Sequence, residues 1–511
     1  MFRSRKTRVL LLVGVICLIA IMTALVWPST PQRPVTKMLI AGRLRIDGVI
    51  VVDPRDGTLH PEMTVEMTAG RITRVAKADT LSIDPKVQRI DGRGKFIVPG
   101  FNDMHHHSVD ADDPSGDLAL MLAEGVTGFR QMSGSDSLLQ ERRENRLPLT
   151  RLAPQLLAMP GAVLTPFNAG SPEAARAEVN KQKAEGADFI KIGLVPPDVF
   201  WAALAEAKKV GLPAVGHLQV GVDPVRASRE GFRSIEHLGP GAPIWIACSK
   251  NREALFAEAA AHPAIKAPPF HIPFLEAIVA WRFRTIGVNP AAFASPDDIA
   301  RLQRALDSYD ASRCRALAEQ FRRNNSWQVP TLVRLRTQQL ADDPAYQVDP
   351  SLRYMPQENI DRWRGVLERF KGLPAPMLAT LRSAYARNLA LTKLFSDAGV
   401  PMMAGTDFGG LASPGMTLQL EFVELARAGI SPLKVLQMTT TNPAIFLGRT
   451  KSMGLVADGY DADLVLLDAN PLDSVGNLRS IAGVVRAGYY YSAADLNILR
   501  DRIARRRGTL K

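Results

Sequence analysis

Cysteine is scarce in this chain, with 3 residues among 511. No Cys-x-x-Cys pair is present, which excludes the common cysteine-based metal motifs. Cys17 lies in an apolar segment near the start of the chain, whereas Cys248 and Cys314 lie well inside it. The latter two could form a disulfide if this part of the chain is exported to an oxidising compartment. Two unpaired buried thiols are the alternative.

A glycine-rich nucleotide-binding turn is also missing, since no Gly-x-Gly-x-x-Gly follows a predicted strand. This absence disfavours a doubly wound open sheet, which is the alternative α/β architecture. Disorder of the whole chain is excluded, because 46% of the residues are hydrophobic and 22% are charged, as in ordinary globular proteins. The length exceeds what one hydrophobic core usually serves, so more than one folding unit is expected.

The excess of basic over acidic residues lies largely at the two ends of the chain. The net charge is +12, of which Arg3, Arg5, Lys6 and Arg8 supply +4 and the segment after residue 492 supplies another +4. Only +4 is left for the more than 480 residues between them. A nucleic-acid partner is therefore not expected, because its electrostatic footprint would lie on the body of the protein.

The chain has a single long run of apolar residues without charge, the 19 residues 9–27. As a helix this run would span about 28 Å, close to the ~30 Å hydrocarbon core of a bilayer. With residues 1–8 basic, we predict an N-terminal transmembrane helix and a catalytic domain on the extracytoplasmic side, periplasmic or extracellular. A cleaved signal, which would release an exported soluble form, is the alternative. A Pro-rich linker, residues 28–37, follows.

The rest of the chain indicates an α/β protein of two parts. Short alternating strands separated by turns fill residues 38–97, and a similar pattern returns at residues 449–491. These two segments predict one small composite β-sandwich. Between them, at residues 98–448, eight predicted strands alternate with helices, which favours a (β/α)8 TIM-like barrel with an insertion at residues 239–325. Residues 492–511 are predicted to form a basic C-terminal helix or tail.

One motif in the barrel segment points to metal chemistry. An apolar run ends in Pro99-Gly100, and Asp103, His105 and His107 follow at alternate positions. Because strand side chains alternate with a period of two, both of these imidazoles point to the same side. Imidazole is the commonest metal ligand among side chains, so a metal site is expected at the end of this strand. His106 is expected to point away from it.

Other polar residues also fall at the ends of predicted barrel strands, where barrel enzymes form their active sites. Taken singly, each has an ordinary structural explanation: a satisfied polar residue for His217 or His237, a solvent-reaching side chain for Lys191, a helix cap for Asp407. However, four of the eight histidines of the chain lie at strand ends. The joint pattern favours one shared metal site.

The combined motifs resemble those of the amidohydrolase superfamily, in particular its imidazolonepropionase-like and prolidase-like branches. The resemblance covers nearly the whole chain after residue 27. It is carried by Pro-Gly-x-x-Asp-x-His-x-His at 99–107, Gly-Val-Thr at 125–127, Gly-Ala-Asp-Phe-Ile-Lys at 186–191, Gly-His at 216–217, Ile-Glu-His at 235–237, Ala-Gly-Thr-Asp at 404–407, Thr-Asn-Pro-Ala at 441–444 and Gly-Tyr-Asp-Ala-Asp-Leu at 459–464.

The resemblance implies a role for each matched residue. His105, His107 and Asp407 would bind one divalent ion and His217 and His237 a second one, with zinc as the expected metal. Lys191 would be carboxylated and would bridge the two ions together with a hydroxide. Asp407 would also act as the general base and then as the general acid. The residues after His217 and His237 match no known substrate-binding signature, so the resemblance leaves the substrate open.

The predicted function is metal-dependent hydrolysis of a C–N bond in a small-molecule substrate: an amide, a dipeptide or a cyclic amide. Lactone, ester or phosphotriester hydrolysis at the same site is the alternative among enzymes. A non-catalytic binding protein on a retained barrel is the alternative from another class. The sequence carries no indication of an oligomeric state.

Overall fold

The computed structural model describes residues 43–77, 87–240, 242–261, 284–407 and 413–508. Its class is α/β, as predicted, because parallel strands alternate with helices through the middle of the chain. The strands are β1 (Arg43–Val52), β2 (Leu59–Thr68), β3 (Arg71–Lys77), β4 (Gln88–Asp91), β5 (Phe96–Pro99), β6 (Phe101–His106), β7 (Val126–Gln131), β8 (Gln155–Ala158), β9 (Ile190–Ile192), β10 (Ala214–Gly216), β11 (Ser234–Glu236), β12 (Trp327–Val329), β13 (Leu464–Leu467), β14 (Ile481–Arg486) and β15 (Tyr489–Ser492).

Five of the described α-helices begin with a Ser or Asp cap followed by proline in the first turn. The α-helices are α1 (Pro114–Ala123), α2 (Asp136–Arg143), α3 (Pro172–Ala184), α4 (Pro197–Lys209), α5 (Pro224–Glu230), α6 (Pro243–Ala247), α7 (Arg252–Ala261), α8 (Pro296–Asp307), α9 (Ala311–Arg323), α10 (Leu332–Gln339), α11 (Gln357–Lys371), α12 (Ala375–Asp397), α13 (Met416–Arg427), α14 (Pro432–Thr439), α15 (Thr441–Phe446) and α16 (Ala493–Arg506).

An eight-stranded mixed sheet combines strands from two distant parts of the chain. Its order is β15-β14-β13-β5-β1-β2-β3, with β4 also paired to β1. The link between the two parts is the antiparallel pair of β13 with β5, in which Leu466 lies opposite Ile97. Ile46, Val65 and Leu464 are buried in the core of this sheet. The sheet thus closes only when residues more than 350 positions apart have come together.

The parallel strands form two sheets. One has the order β6-β7-β8 and the other β9-β10-β11-β12. A parallel bridge between Leu164 and Ile192 lies between β8 and β9 in the sequence, and Met402 pairs with Gln328 of β12. The backbone of Met104 in β6 donates to the carbonyl of Ala404 at 3.0 Å. These pairings bring the carboxyl ends of the parallel strands to one side.

Gly100 separates two strands where the sequence suggested one continuous strand over residues 95–103. β5 belongs to the mixed sheet, and β6 to the parallel sheet. A Cβ atom at position 100 would overlap the side chain of Thr127, so the chain can change sheets here only at a glycine. The break at Gly100 therefore sends Phe101–His106, with its histidines, into the parallel sheet.

The segment between β11 and β12 is a helical insertion that includes α6, α7, α8 and α9. A disulfide joins Cys248, at the end of α6, to Cys314 in α9. The backbone of Asp310 also donates to the carbonyl of Cys248 at 2.8 Å. The pairing that the sequence left open is thus made, and it ties the two ends of the insertion together.

The C-terminal helix α16 begins with a capping box formed by Ser492 and Asp495. Beyond its end, Arg507 contacts Asp113 at 2.8 Å and Asp117 at 2.6 Å, and Arg507 and Asp117 are both buried. Arg500 contacts Glu124 at 2.7 Å. Part of the basic charge at this end is therefore neutralised by acidic residues of α1 and its flanks.

The predicted membrane anchor at residues 9–27 lies outside the described residues. Among the residues that the structure describes, no helix is both long and apolar enough to cross a bilayer. The longest, α12, has 23 residues, but Arg382, Arg387 and Lys393 give it charges that are costly in hydrocarbon. The described residues therefore do not support the prediction of a membrane-anchored protein with an extracytoplasmic catalytic domain, nor that of a membrane partner.

Candidate metal centre

Six predicted site residues line one cavity at the carboxyl ends of the parallel strands: His105, His107, Lys191, His217, His237 and Asp407. His105 lies in β6 and Lys191 in β9, while His217 and His237 directly follow β10 and β11. Asp407 follows the segment that pairs with β12. His106, which lies between His105 and His107 in the sequence, is also buried but is not part of the cavity wall. Its pKa is lowered to about 3 by burial.

Asp407 lies closest to the two histidines of the first strand. Its Oδ1 is 3.1 Å from Nε2 of His107 and 3.4 Å from Nε2 of His105. One ligand atom from each of these three residues lies within 4.8 Å of the others. Nε2 of His237 is 3.7 Å from the other oxygen of Asp407. Nitrogen and oxygen donors in such a cluster suit a divalent transition ion such as zinc.

His105 is oriented by a buried carboxylate. Its Nδ1 lies 2.7 Å from Oε2 of Glu236, and Glu236 also contacts Nη2 of Arg130 at 2.9 Å. Burial raises the pKa of Glu236, but Arg130 and His105 outweigh it and hold that pKa well below its ordinary value. The ionised carboxylate can only accept, so Nδ1 of His105 carries the proton. Nε2, which faces Asp407, is left with a free lone pair that can bind a metal ion.

His107 is oriented by a hydrogen-bonded chain. The hydroxyl of Ser133 donates to Asp110, so its oxygen accepts from Nδ1 of His107 at 2.7 Å. The ring nitrogen of His107 that faces Oδ1 of Asp407 is therefore Nε2, at 3.1 Å.

The other two histidines complete a row of imidazoles. The ring centroids of His105 and His237 are 4.6 Å apart, and those of His237 and His217 are 5.1 Å apart. Nδ1 of His237 lies 2.7 Å from the hydroxyl of Thr331. Nδ1 of His217 is buried without a hydrogen-bond partner in the described part of the chain. Burial lowers the pKa of His237 to about 4 and that of His217 well below its ordinary value, so both rings are neutral.

Lys191 presents a buried amine to the same cavity. The residue is 2% exposed, and its Nζ has no hydrogen-bond partner among the described residues. Burial lowers the pKa of this amine to about 8, although Glu236 and Asp407 favour its charged form. An unpartnered buried amine is costly, so its position indicates a functional constraint.

Asp407 is kept ionised by its surroundings. Burial raises its pKa, but the side chains around it, among them the cationic Arg334, hold that pKa well below its ordinary value. Nε of Arg334 lies 3.2 Å from Oδ2 of Asp407. The other nitrogens of Arg334 donate to the backbone carbonyls of Gly287 and Val288. Arg334 is thus a counter-charge for Asp407 and links it to the insertion.

The backbone is strained where the site residues are presented. His237, Leu238, Thr331 and Asp407 all have positive φ, between 46° and 57°. Left-handed backbone at residues other than glycine costs of order 1 kcal/mol each and accumulates at functional sites. Gly405 is required for a different reason: a Cβ atom there would lie 2.9 Å from the backbone nitrogen of His105.

Helix α10 and its N-cap residue supply two contacts to the site, from Thr331 to His237 and from Arg334 to Asp407. The helix is capped in an unusual way. Thr331, at its N-cap position, makes no capping hydrogen bond, because its hydroxyl faces His237. The backbone nitrogen of Val333 instead donates to Glu421 of α13 at 2.7 Å. Burial raises the pKa of Glu421 to about 8. Glu421 therefore fixes the start of the helix that carries Arg334 toward Asp407.

The sequence motifs did not assign roles to Glu236, Arg130, Thr331 or Arg334. Glu236 and Arg130 had a detectable signal, since each is a charged residue inside an apolar parallel strand, where it must be paired. Thr331 and Arg334 had none, because they belong to an ordinary polar helix that only the tertiary fold brings to the cavity.

Comparison with known proteins agrees with this fold. Residues 363–502 match the model of the Amidohydrolase family. Ochratoxinase of Aspergillus niger is 30% identical over 120 residues, which cover 22% of this chain and 24% of the relative. The chain thus matches only about a quarter of the length of this curated relative.

Solved structures are similar over most of the chain. A bottromycin amidohydrolase superposes with a TM-score of 0.64 at 21% identity, covering 91% of this chain and 90% of its own. The structure of A. niger ochratoxinase gives a TM-score of 0.57 at 15% identity, covering 88% and 96%. At these identities the likeness concerns the fold alone. Together with the family match over residues 363–502, it supports the resemblance to the amidohydrolase superfamily.

Proposed function

We propose that this protein is a metal-dependent hydrolase that cleaves the C–N bond of a small amide. The observation that carries the proposal is the meeting of His105, His107 and Asp407, ligand atoms within 4.8 Å of one another, with the unpartnered buried amine of Lys191. Such an arrangement is costly for a purely structural cluster. It is accounted for if the cluster binds metal ions.

The residues present fit a pair of divalent ions, with zinc as the best candidate. His105, His107 and Asp407 would hold one ion, and His217 and His237 the other. Lys191 would join them as a carbamate, because its depressed pKa supplies the neutral amine that adds carbon dioxide. Ions bound there would acidify a water molecule and polarise the amide carbonyl.

Side chains of this protein supply the proton transfers. Asp407 is ionised and lies in the cavity, so it can accept a proton from the attacking water and return it to the leaving nitrogen. Arg334 holds the carboxylate of Asp407 in place through its contact at 3.2 Å. The neutral imidazoles add no positive charge that would oppose metal binding.

We also propose that the parallel strands belong to a (β/α)8 barrel, with the composite β-domain and the terminal segments as separate parts. The bridges of Leu164 with Ile192 and of Gln328 with Met402 support a continuous ring. The bond from Met104 to Ala404 supports its closure. A site at the carboxyl ends of the strands is also where barrel enzymes have their active sites.

Metal analysis combined with Lys191→Met tests the function. Purified protein should contain close to two divalent ions and hydrolyse members of a panel of amides, losing activity with a chelator and regaining it with zinc and bicarbonate. Lys191→Met should lose most of the metal and nearly all turnover. Lys183→Met, which alters an exposed lysine of α3, is the matched control and should keep both.

The same panel separates the alternatives. Matched esters hydrolysed much faster than the amides would indicate an esterase or lactonase. Protein that binds no metal and turns over neither class would contradict the hydrolase proposal and favour a binding protein.

A further inference from the structure

The cavity above the candidate metal centre has a volume of about 610 Å³, enough for a substrate much larger than a simple amide. The site residues form one side of it. The opposite side is formed by the insertion and by helices α6, α8, α10 and α12. Its apolar members are Leu238, Trp245, Ile299, Leu302, Leu335 and Leu381.

Three polar side chains of this wall, those of Trp245, Asn388 and Gln339, are already paired with one another. Nε1 of Trp245 donates to Oδ1 of Asn388 at 3.0 Å, and the amide of Asn388 donates to Gln339 at 3.2 Å. The indole therefore offers only its apolar surface to the cavity. Asp298 is bound by Ser295 and Arg301.

Positive charge in the lining is likewise committed. Among the described residues that line the cavity, Arg334 and Lys191 are the only cationic side chains. Arg334 is paired with Asp407 and two backbone carbonyls, and Lys191 belongs to the proposed metal centre. A carboxylate that entered the apolar side would lose its hydration without gaining a free counter-charge from the described lining residues, which is strongly unfavourable.

We propose that the substrate is an amide with a bulky, uncharged apolar group, of the size of an aromatic ring or larger, which packs against this wall. Amides whose corresponding group carries a free carboxylate, as dipeptides do, are disfavoured. The proposal rests on the hydrolase function above and narrows its substrate class. The apolar wall gives the selectivity, and the polar site residues give the chemistry.

Matched amides test this selectivity with the metal-loaded enzyme at neutral pH. One series places the group on the acyl side: propanamide, 3-phenylpropanamide and 3-(4-carboxyphenyl)propanamide. The other places it on the amine side: N-ethylacetamide, N-phenethylacetamide and N-(4-carboxyphenethyl)acetamide. Turnover is followed by chromatography, and Kd is measured by calorimetry on the same compounds.

In at least one series the phenyl compound should exceed the ring-free compound by about tenfold or more in kcat/KM and in affinity. Burial of about 55 Å² of apolar surface corresponds to about tenfold, and aromatic side chains bury roughly 150–250 Å². The carboxylated compound should fall at least about tenfold below the phenyl compound. Equal or tighter binding of the carboxylated compound in both series would overturn the proposal.

A charge introduced into the wall should reverse the preference. Leu302→Arg, on α8, should strengthen binding of the carboxylated compound and weaken that of the phenyl compound. Ile498→Arg, at an exposed position 56% accessible on α16, should change neither. If the phenyl compound binds more tightly than the ring-free and carboxylated compounds but none is hydrolysed, the hydrolase function is contradicted and the ligand preference is retained. If the amides are hydrolysed but the phenyl compound is not preferred, only the ligand preference is contradicted.

Discussion

Replacement of Arg130 by methionine would expose how far one buried ion pair supports both the fold and the metal centre. The side chains of Arg130 and Glu236 are both completely buried, and Nη2 lies 2.9 Å from Oε1. Nε of Arg130 also donates to the carbonyl of Met104 at 2.7 Å. Glu236 in turn holds Nδ1 of His105. Arg130 is therefore two contacts away from a candidate metal ligand.

Loss of one partner from a buried ion pair leaves an uncompensated charge in the interior, which costs about 3–5 kcal/mol. Arg130→Met should lower the free energy of unfolding by about that amount. The double variant with Glu236→Gln removes both charges and keeps a side-chain oxygen that can accept from His105. It should recover most of the loss, with a coupling energy of about 2 kcal/mol or more.

Urea unfolding of metal-free protein, followed by tryptophan fluorescence, measures this loss. Zinc titration provides the second readout, because disturbing the partner that orients a ligand typically weakens metal binding about 10- to 100-fold. Arg176→Met is the control, since Arg176 forms only an exposed i,i+3 pair with Glu173. Its effect should stay within about 0.5 kcal/mol.

The pH dependence has a definite sign. The folded-state pKa of Glu236 lies below its ordinary value of 4.5, so the ion pair stabilises the fold above about pH 4.5 and loses this contribution as the pH falls further. The difference between wild type and Arg130→Met should shrink in acid. An Arg130→Met variant within about 1 kcal/mol of wild type at pH 7, or a double variant no more stable than the single one, would refute the reasoning.

Three further changes test other parts of the site. Burial raises the pKa of Glu421 to about 8, so the wild-type protein loses stability as the pH rises from 4.5 to 8. The free energy of unfolding of Glu421→Gln should match that of wild type near pH 5 and exceed it at pH 8 by at most about 5 kcal/mol. Parallel denaturation curves at both pH values would contradict this. Gly405→Ala brings a Cβ atom to 2.6 Å from Val329 and 2.9 Å from His105. The free energy of unfolding should fall by about 1–3 kcal/mol, and zinc binding should weaken. An unchanged melting temperature and zinc affinity would show that the neighbouring strands move apart to accommodate the methyl group. Lys191→Met removes an unpartnered buried amine and should stabilise the metal-free protein by about 3 kcal/mol at pH 7, whereas equal or lower stability would show that the amine is satisfied.

The fold class was predictable because it follows from local patterns. Apolar strands alternating with amphipathic helices indicated an α/β protein, and the Pro-Gly-x-x-Asp-x-His-x-His run indicated the superfamily. The end of the first barrel strand was misplaced, since Gly100 separates two strands of different sheets. The side chain of Thr127 leaves no room for a Cβ atom at this position, and Thr127 is distant enough in sequence that no local pattern reveals this constraint. The membrane assignment from hydropathy at residues 9–27 was not supported.

The candidate metal ligands were named from the sequence because strand periodicity and strand-end position are local properties. Their assignment to particular metal ions stays a prediction, as do the domain boundaries. The disulfide between Cys248 and Cys314 could not be deduced, because cysteine spacing alone does not determine pairing. The sequence also carried no indication that Arg334 and Thr331 contact the site, since these contacts depend on where α10 packs.

By itself the sequence determined which residues could bind metal: two histidines alternating on one strand, single histidines and a lysine closing others, and an aspartate at the last. Only the tertiary structure decided what surrounds them. It buried Lys191 without a hydrogen-bond partner among the described residues, paired Glu236 with Arg130 beneath His105, and covered the cavity with an apolar wall. Ligand type is a property of individual side chains and their local spacing. Burial, charge compensation and cavity shape arise from contacts between segments far apart in the chain, and these set the pKa values and the substrate that the site can accept.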